Sequence, residues 1–200
     1  HTNFKLTSNG EYLALVEPDG MTAAYEYNPT FPEQFSDWSY GLNTNLVERL
    51  YFTNASPGAT NRGGTAGYAP VPDFSFDTGF YTNAISLTLS VTSGAAVIRY
   101  TLDSSEPDET STAYTLPLNI RSRIGDSNYF SLFITATNRW GWLPDWNPPA
   151  GEVFKATVVR ARTYEPGKAP SPIMTKTYFV DTNIWSRYPT LPVISIVSDE

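Results

Sequence analysis

No cysteine occurs in the chain, which excludes disulfides, thiolate metal sites and cysteine nucleophiles together. Histidine is confined to His1, so a Ser-His-Asp triad has no base to draw on, and one imidazole makes a poor metal site. Basic residues are few: 13 Lys and Arg stand against 20 Asp and Glu, for a net charge of −7. Apart from the pairs Arg121/Arg123 and Arg160/Arg162 they are scattered. Nucleic-acid binding demands clustered cations, so no nucleic-acid partner is expected. No apolar run approaches the ~20 residues of a membrane span. No stretch keeps apolar spacing at i, i+3, i+4, i+7 while escaping Pro and Gly, so long helices are not expected. A phosphate-cradling loop is missing too, because Asn61-Arg62-Gly63-Gly64 sits in a linker-like stretch and matches no phosphate motif.

What remains is rich in Thr, Ser, Asn, Pro, Gly and Tyr, with 14% aromatic and 40% hydrophobic residues. β-branched and aromatic side chains suit a pleated surface, and Asn, Gly and Pro suit turns. The fold class expected is all-β: two immunoglobulin-like β-sandwich modules joined by a Gly/Ala/Pro/Thr linker. Residues 1–55 read as short strands with turn signals at Ser8-Asn9-Gly10 and Pro18-Asp19-Gly20. Residues 56–72 carry almost no large aliphatic side chains and read as a linker. Residues 73–182 form the second module, with an insertion at 121–152. In it Ile85-Ser86-Leu87-Thr88-Leu89-Ser90-Val91 alternates with period two, and Val97-Ile98-Arg99-Tyr100-Thr101-Leu102 returns with Ile98, Tyr100 and Leu102 inward. Residues 183–200 read as a strand leading to a further element. The chain starts at His1 without Met and stops at Ser198-Asp199-Glu200 after a strand-like run, so a piece of a longer protein is expected.

Motif order adds a family likeness. Tyr100-Thr101-Leu102-Asp103-Ser104-Ser105-Glu106-Pro107, followed by Val159-Arg160-Ala161-Arg162 and Tyr164-Glu165-Pro166-Gly167, resembles the chitobiase/β-hexosaminidase C-terminal domain family. Ser104 stands where that family usually has Gly, and Asp108 where Thr is common. Residues 1–55, with Gly10-Glu11-Tyr12-Leu13-Ala14-Leu15, Pro18-Asp19-Gly20 and Asp37, Ser39, Tyr40 and Gly41, look like the C-terminal half of a bacterial lamin-tail domain, incomplete at its N-terminus. The combination is similar to segments found upstream of spore-coat-protein-H-like kinase domains. The resemblance implies a non-catalytic piece of a larger bacterial protein. The composition, poor in Lys and rich in Thr, Asn and Tyr, points to a secreted protein, extracellular or at the cell surface.

Candidate sites follow from residue chemistry. No catalytic residue is expected, because Asp103, Glu106, Asp108 and Glu109 lie in a hairpin tip, where turn formation explains acidic residues and water screens them. Asp103, Glu106 and Asp108 offer hard oxygens for a metal, with Ca2+ the one candidate ion, although exposed acidic turns often hold none. No other cofactor is expected. Trp140, Trp142 and Trp146 with Asp145 and Asn147 present indoles beside polar groups, the make-up of a carbohydrate site; the same rings could instead cap an open end of the sandwich. Val193, Ile194, Ile196 and Val197 form an interaction strand suited to β-augmentation. The leading function is a structural or interaction module that assembles through strand edges into oligomers or filaments. Its partners are other domains of the same polypeptide or identical chains. The alternatives are a carbohydrate-binding accessory module, with polysaccharide as partner, and a spacer for a downstream kinase-like domain.

Overall fold

The structure, a computed structural model, describes residues 5–35, 38–129, 132, 147–190 and 192–197. The chain divides into two compact units, one of residues 1–68 with 167–169 and one of residues 69–166 with 170–200.

The first unit contains two antiparallel hairpins. β1 (Leu13–Val16) pairs with β2 (Ala23–Tyr27), and β3 (Ser39–Leu42) pairs with β4 (Arg49–Phe52). The expected turn between β1 and β2 forms because Asp19 Oδ1 accepts the backbone N–H groups of Met21 and Thr22, both at 2.9 Å, while Gly20 takes φ +72°. An isolated two-stranded hairpin is marginal in water, and here aromatic packing joins the two. Tyr27 contacts Tyr40 at 6.0 Å between centroids, and Arg49 of β4 lies 4.9 Å over the Tyr27 ring and donates to the Tyr25 hydroxyl.

Residues 56–72, expected as a linker, are not uniformly solvated. Thr65 exchanges two backbone hydrogen bonds with Tyr51, at 2.9 and 2.8 Å. A Cβ added to Gly64 would sit 2.6 Å from both Leu50 Cβ and Phe52 Cε1. At Gly64 a small residue is required because the chain passes close over β4.

The second unit is built on a five-stranded sheet in the order β10 (Thr112–Ala113), β9 (Val97–Thr101), β12 (Thr157–Tyr164), β13 (Met174–Val180), β6 (Gly79–Tyr81). Its pairs are antiparallel except β13 with β6, which is parallel. Two short ladders complete it: β11 (Leu118–Ile120) with β7 (Ile85–Leu87), and β5 (Asp73–Phe74) with β8 (Leu89–Ser90). One cluster unites Leu87, Leu89, Ile98, Ile120, Val159, Ala161, Tyr178 and Val180, so the short ladders pack on the large sheet. Each fully buried aliphatic side chain here stabilises by about 1.5–3 kcal/mol. The alternation in 85–91 holds: Leu87 and Leu89 are buried while Ser86, Thr88 and Ser90 are exposed. The run is split at Thr88, whose N–H donates to Ser75 Oγ and whose carbonyl accepts from the Ser75 N–H. Leu102, expected inward, is exposed, because β9 ends at Thr101 and the hairpin turns there.

The described residues of the segment 183–200 differ from the strand expected there. A single helical turn, α1 (Ile184–Arg187), follows β13, with Ile184 fully buried. Asp181 holds it: its Oδ1 accepts the Asn183 N–H at 2.8 Å and its Oδ2 accepts Arg187 Nη2 at 2.9 Å. The Asn183 N–H, followed by the Arg187 guanidinium, holds the Asp181 carboxyl below its ordinary range. Residues 192–197 enter no strand ladder. Their β-branched composition suits a strand, but a strand needs a partner edge, and none within the described residues is paired with them.

Candidate functional site

The hairpin that carries the Tyr100 to Pro107 motif is fastened from three sides. Thr101 Oγ1 donates to the Ser105 carbonyl at 2.6 Å, and the Tyr164 hydroxyl donates to the Pro107 carbonyl at 3.1 Å. From β12, Arg160 donates through Nη1 to the Ser104 carbonyl at 2.7 Å, and its Nη2 lies 3.6 Å from Glu106 Oε1. Arg160 is only 7% exposed. The two separated motifs therefore act as one structural unit, with Arg160 as the bolt and the hairpin carbonyl as its seat.

Two of the acidic groups of the tip, Asp103 and Asp108, are occupied within their own turns. Asp103 Oδ1 accepts Ser105 Oγ at 2.6 Å and the Ser105 N–H at 3.1 Å. Asp108 Oδ1 accepts Thr110 Oγ1, Ser111 Oγ and the N–H groups of both residues. The Ser105 hydroxyl and amide hold the Asp103 carboxyl below its ordinary range, and the Thr110 and Ser111 hydroxyls do the same for Asp108. A glycosidase acid needs the opposite shift, produced by an apolar pocket. Among the described residues no group of three or more His, Cys, Asp or Glu is placed to share an ion, Asp103, Glu106 and Asp108 included. Ser104, standing where the resemblance expects Gly, takes φ +73°, the left-handed region that costs a non-glycine residue about 1–2 kcal/mol. Ser104→Gly is expected to raise stability by roughly 0.5 kcal/mol, the strain relief being partly offset by the greater freedom of unfolded glycine. A denaturation midpoint that stays put or falls would count against this reading.

Trp140, Trp142, Asp145 and Trp146 lie outside the described residues; Asn147 is described and exposed. Of the expected interaction strand, Ile194 and Ile196 are 83% and 87% exposed, while Val193 and Val197 are half-buried. Ser195 Oγ donates to Thr177 Oγ1 of β13 at 3.0 Å, so the segment is anchored at its centre while its isoleucines face solvent.

One concave feature was not evident from sequence. In the first unit, Leu13, Tyr27, Phe31, Phe35 and Tyr40 line a groove of about 450 Å³, with Ser8 and Gln34 among its polar members. The loop with Pro29 and Pro32 brings Phe31 and Phe35 to the hairpins: the Phe31 N–H donates to the Glu11 carbonyl at 3.0 Å, and the Gln34 N–H to the Ser8 carbonyl at 2.7 Å. Phe31 stands edge-on to Tyr27, 6.3 Å between centroids. Burial, followed by the neighbouring Tyr25 hydroxyl, pushes the Tyr27 hydroxyl up to about 12, so it stays neutral at any physiological pH.

The second unit is an all-β, immunoglobulin- or fibronectin-like domain of the kind typically used as a non-catalytic module. Residues 85–178, from β7 into β13, match the family described as Fn3 associated, a little under half of the chain. No curated protein matches the chain, and no solved structure does. No helix among the described residues is long and apolar enough to cross a membrane.

Proposed function

We propose that the chain is a non-catalytic interaction module of a larger secreted bacterial protein, and that it associates with a second copy of itself through strand addition. The observation that carries the reading is residues 192–197. They are apolar and β-branched, belong to no ladder, and hold Ile194 and Ile196 out to solvent. Such a segment is a donor strand in search of an edge. Open edges exist on the same molecule: among the described residues β6 pairs only with β13, and β10 only with β9. A donor at one place and an acceptor edge at another make a head-to-tail contact, which closes into a ring or continues as a filament.

The same reading takes the first unit as lamin-tail-like and the second as chitobiase C-terminal-like. Its support is the order of the motifs, from Gly10 to Leu15, Pro18 to Gly20, Tyr100 to Pro107 and Val159 to Arg162. The extracellular assignment rests on a composition poor in Lys and rich in Thr, Asn and Tyr. The test is the double variant Ile194→Lys/Ile196→Lys, measured by light scattering and cross-linking. Association at least tenfold weaker, with an unchanged melting temperature, is the expected result, since charge on a donor strand blocks edge pairing. Assembly of equal strength in the double variant would refute strand addition by this segment.

A further inference from the structure

From the aromatic groove of the first unit we infer a second binding surface, one that takes an uncharged pyranose ring of a neutral polysaccharide. It is independent of the strand-addition reading. The walls are rings: Tyr27, Phe31, Phe35 and Tyr40 come from β2, β3 and the loop between them. Tyr27 and Tyr40 are inclined at 43° with centroids 6.0 Å apart, which leaves aromatic surface facing the groove rather than consumed in parallel stacking. A groove of about 450 Å³ falls within the ~300–1,000 Å³ of small-ligand sites.

Charge narrows the ligand class. Among the described residues, none of the side chains lining the groove is Asp, Glu, Lys, Arg or His. A phosphate, a carboxylate or a cation would lose its hydration there and gain no counter-charge from the lining. The nearby Arg49 guanidinium is held by the Tyr25 and Tyr27 rings, the Tyr25 hydroxyl and the Glu26 carbonyl. Polar atoms are nevertheless present, and they are hydrogen-bonding groups without charge. Gln34 spends its Nε2 on the Pro32 carbonyl at 2.7 Å, which fixes the amide and leaves Oε1 without a protein partner among the described residues. Ser8, whose carbonyl accepts the Gln34 N–H, adds a hydroxyl to the lining, and Tyr27 and Tyr40 add two phenols. Aromatic faces for the C–H side of a sugar ring, ringed by neutral donors and acceptors for its hydroxyls, fit a neutral glycan. A purely apolar peptide strand would leave these polar groups unmatched.

The experiment is affinity electrophoresis of the whole chain through gels containing neutral polysaccharides (β-glucan, xylan, mannan, starch), with polygalacturonate as the charged control. Retardation by at least one neutral polymer and none by polygalacturonate is expected. Gln34→Ala should weaken that binding threefold or more, and Ser8→Trp, which fills the groove, tenfold or more. Both variants are checked by circular dichroism, and Ile194→Lys/Ile196→Lys should bind as the parent does, which separates this site from assembly. No retardation by any neutral polymer overturns the inference. So does retention undiminished in Gln34→Ala, which would put the sugar elsewhere on the chain, and so does preferential capture of polygalacturonate.

Discussion

Arg160→Ala is expected to lower the stability of the second unit by about 2–3 kcal/mol, read as a loss of roughly 10 °C in its melting temperature. Two effects add. The buried stem of Arg160 leaves a gap in β12, the central strand of the five-stranded sheet. The Ser104 carbonyl loses a charge-assisted donor at 2.7 Å. Glu106→Gln is the control. Its carboxylate is 54% exposed and 3.6 Å from Nη2, so its loss costs no more than about 0.5 kcal/mol. If the two substitutions cost the same, the ion pair and not the carbonyl seat holds the hairpin, and the account of the two motifs is wrong.

Gly10→Ala is expected to disrupt the first unit, at a cost of roughly 3 kcal/mol or more. Gly10 has φ +89°, and an added Cβ would lie 2.0 Å from the Phe31 carbonyl oxygen. That carbonyl cannot retreat cheaply, since the Phe31 N–H is bonded to Glu11 and the Phe31 ring is only 5% exposed. The same substitution at Gly20 tests conformation alone: φ is +72° and nothing lies within 4 Å of the new methyl, so the cost is about 1 kcal/mol. Near-ultraviolet circular dichroism, dominated in this unit by its clustered tyrosines, reports the difference. Equal effects at the two glycines would remove close packing of Phe31 as the explanation. Gly10→Ala should also abolish the groove, because Phe31 forms part of its wall.

Local features were legible in the sequence. Period-two alternation put Leu87, Leu89 and Ile98 inside, and the Asp19 and Asp103 turns carry the side-chain-to-backbone bonds their residue types favour. Strand partners were not, because pairing of β6 with β13 joins residues about a hundred positions apart and leaves no local trace. The one-turn helix after β13 was equally hidden, resting on Asp181 and a buried Ile184 rather than on any periodic pattern. Residues 56–72 read as a linker by composition, and the division between the two compact units falls at 68/69 within them; at Gly64, however, smallness goes with contact with Leu50 and Phe52.

The site was legible only in outline. The acidic hairpin drew attention by residue type, yet its Asp103 and Asp108 carboxylates are taken up by Ser105, Thr110 and Ser111. Arg160 stood out in the sequence only as half of the Arg160/Arg162 pair in a family motif, and the register of β12 against β9, with Arg160 opposite Thr101, is what brings it to the turn. The groove was invisible because its rings are drawn from separate stretches, each ordinary by itself. A dense run of Tyr, Phe and Pro between residues 25 and 40 was the available signal.

Association through residues 192–197 is tested most directly by sedimentation equilibrium on the chain and on the same chain ended after Tyr188, across a wide concentration range. Ending there removes Ile194 and Ile196 but keeps Asp181, Ile184 and Arg187, which hold α1. The account predicts concentration-dependent growth in mass for the longer form and a monomer for the shorter. A monomer in both forms at the highest concentration, or identical association in both, would contradict it.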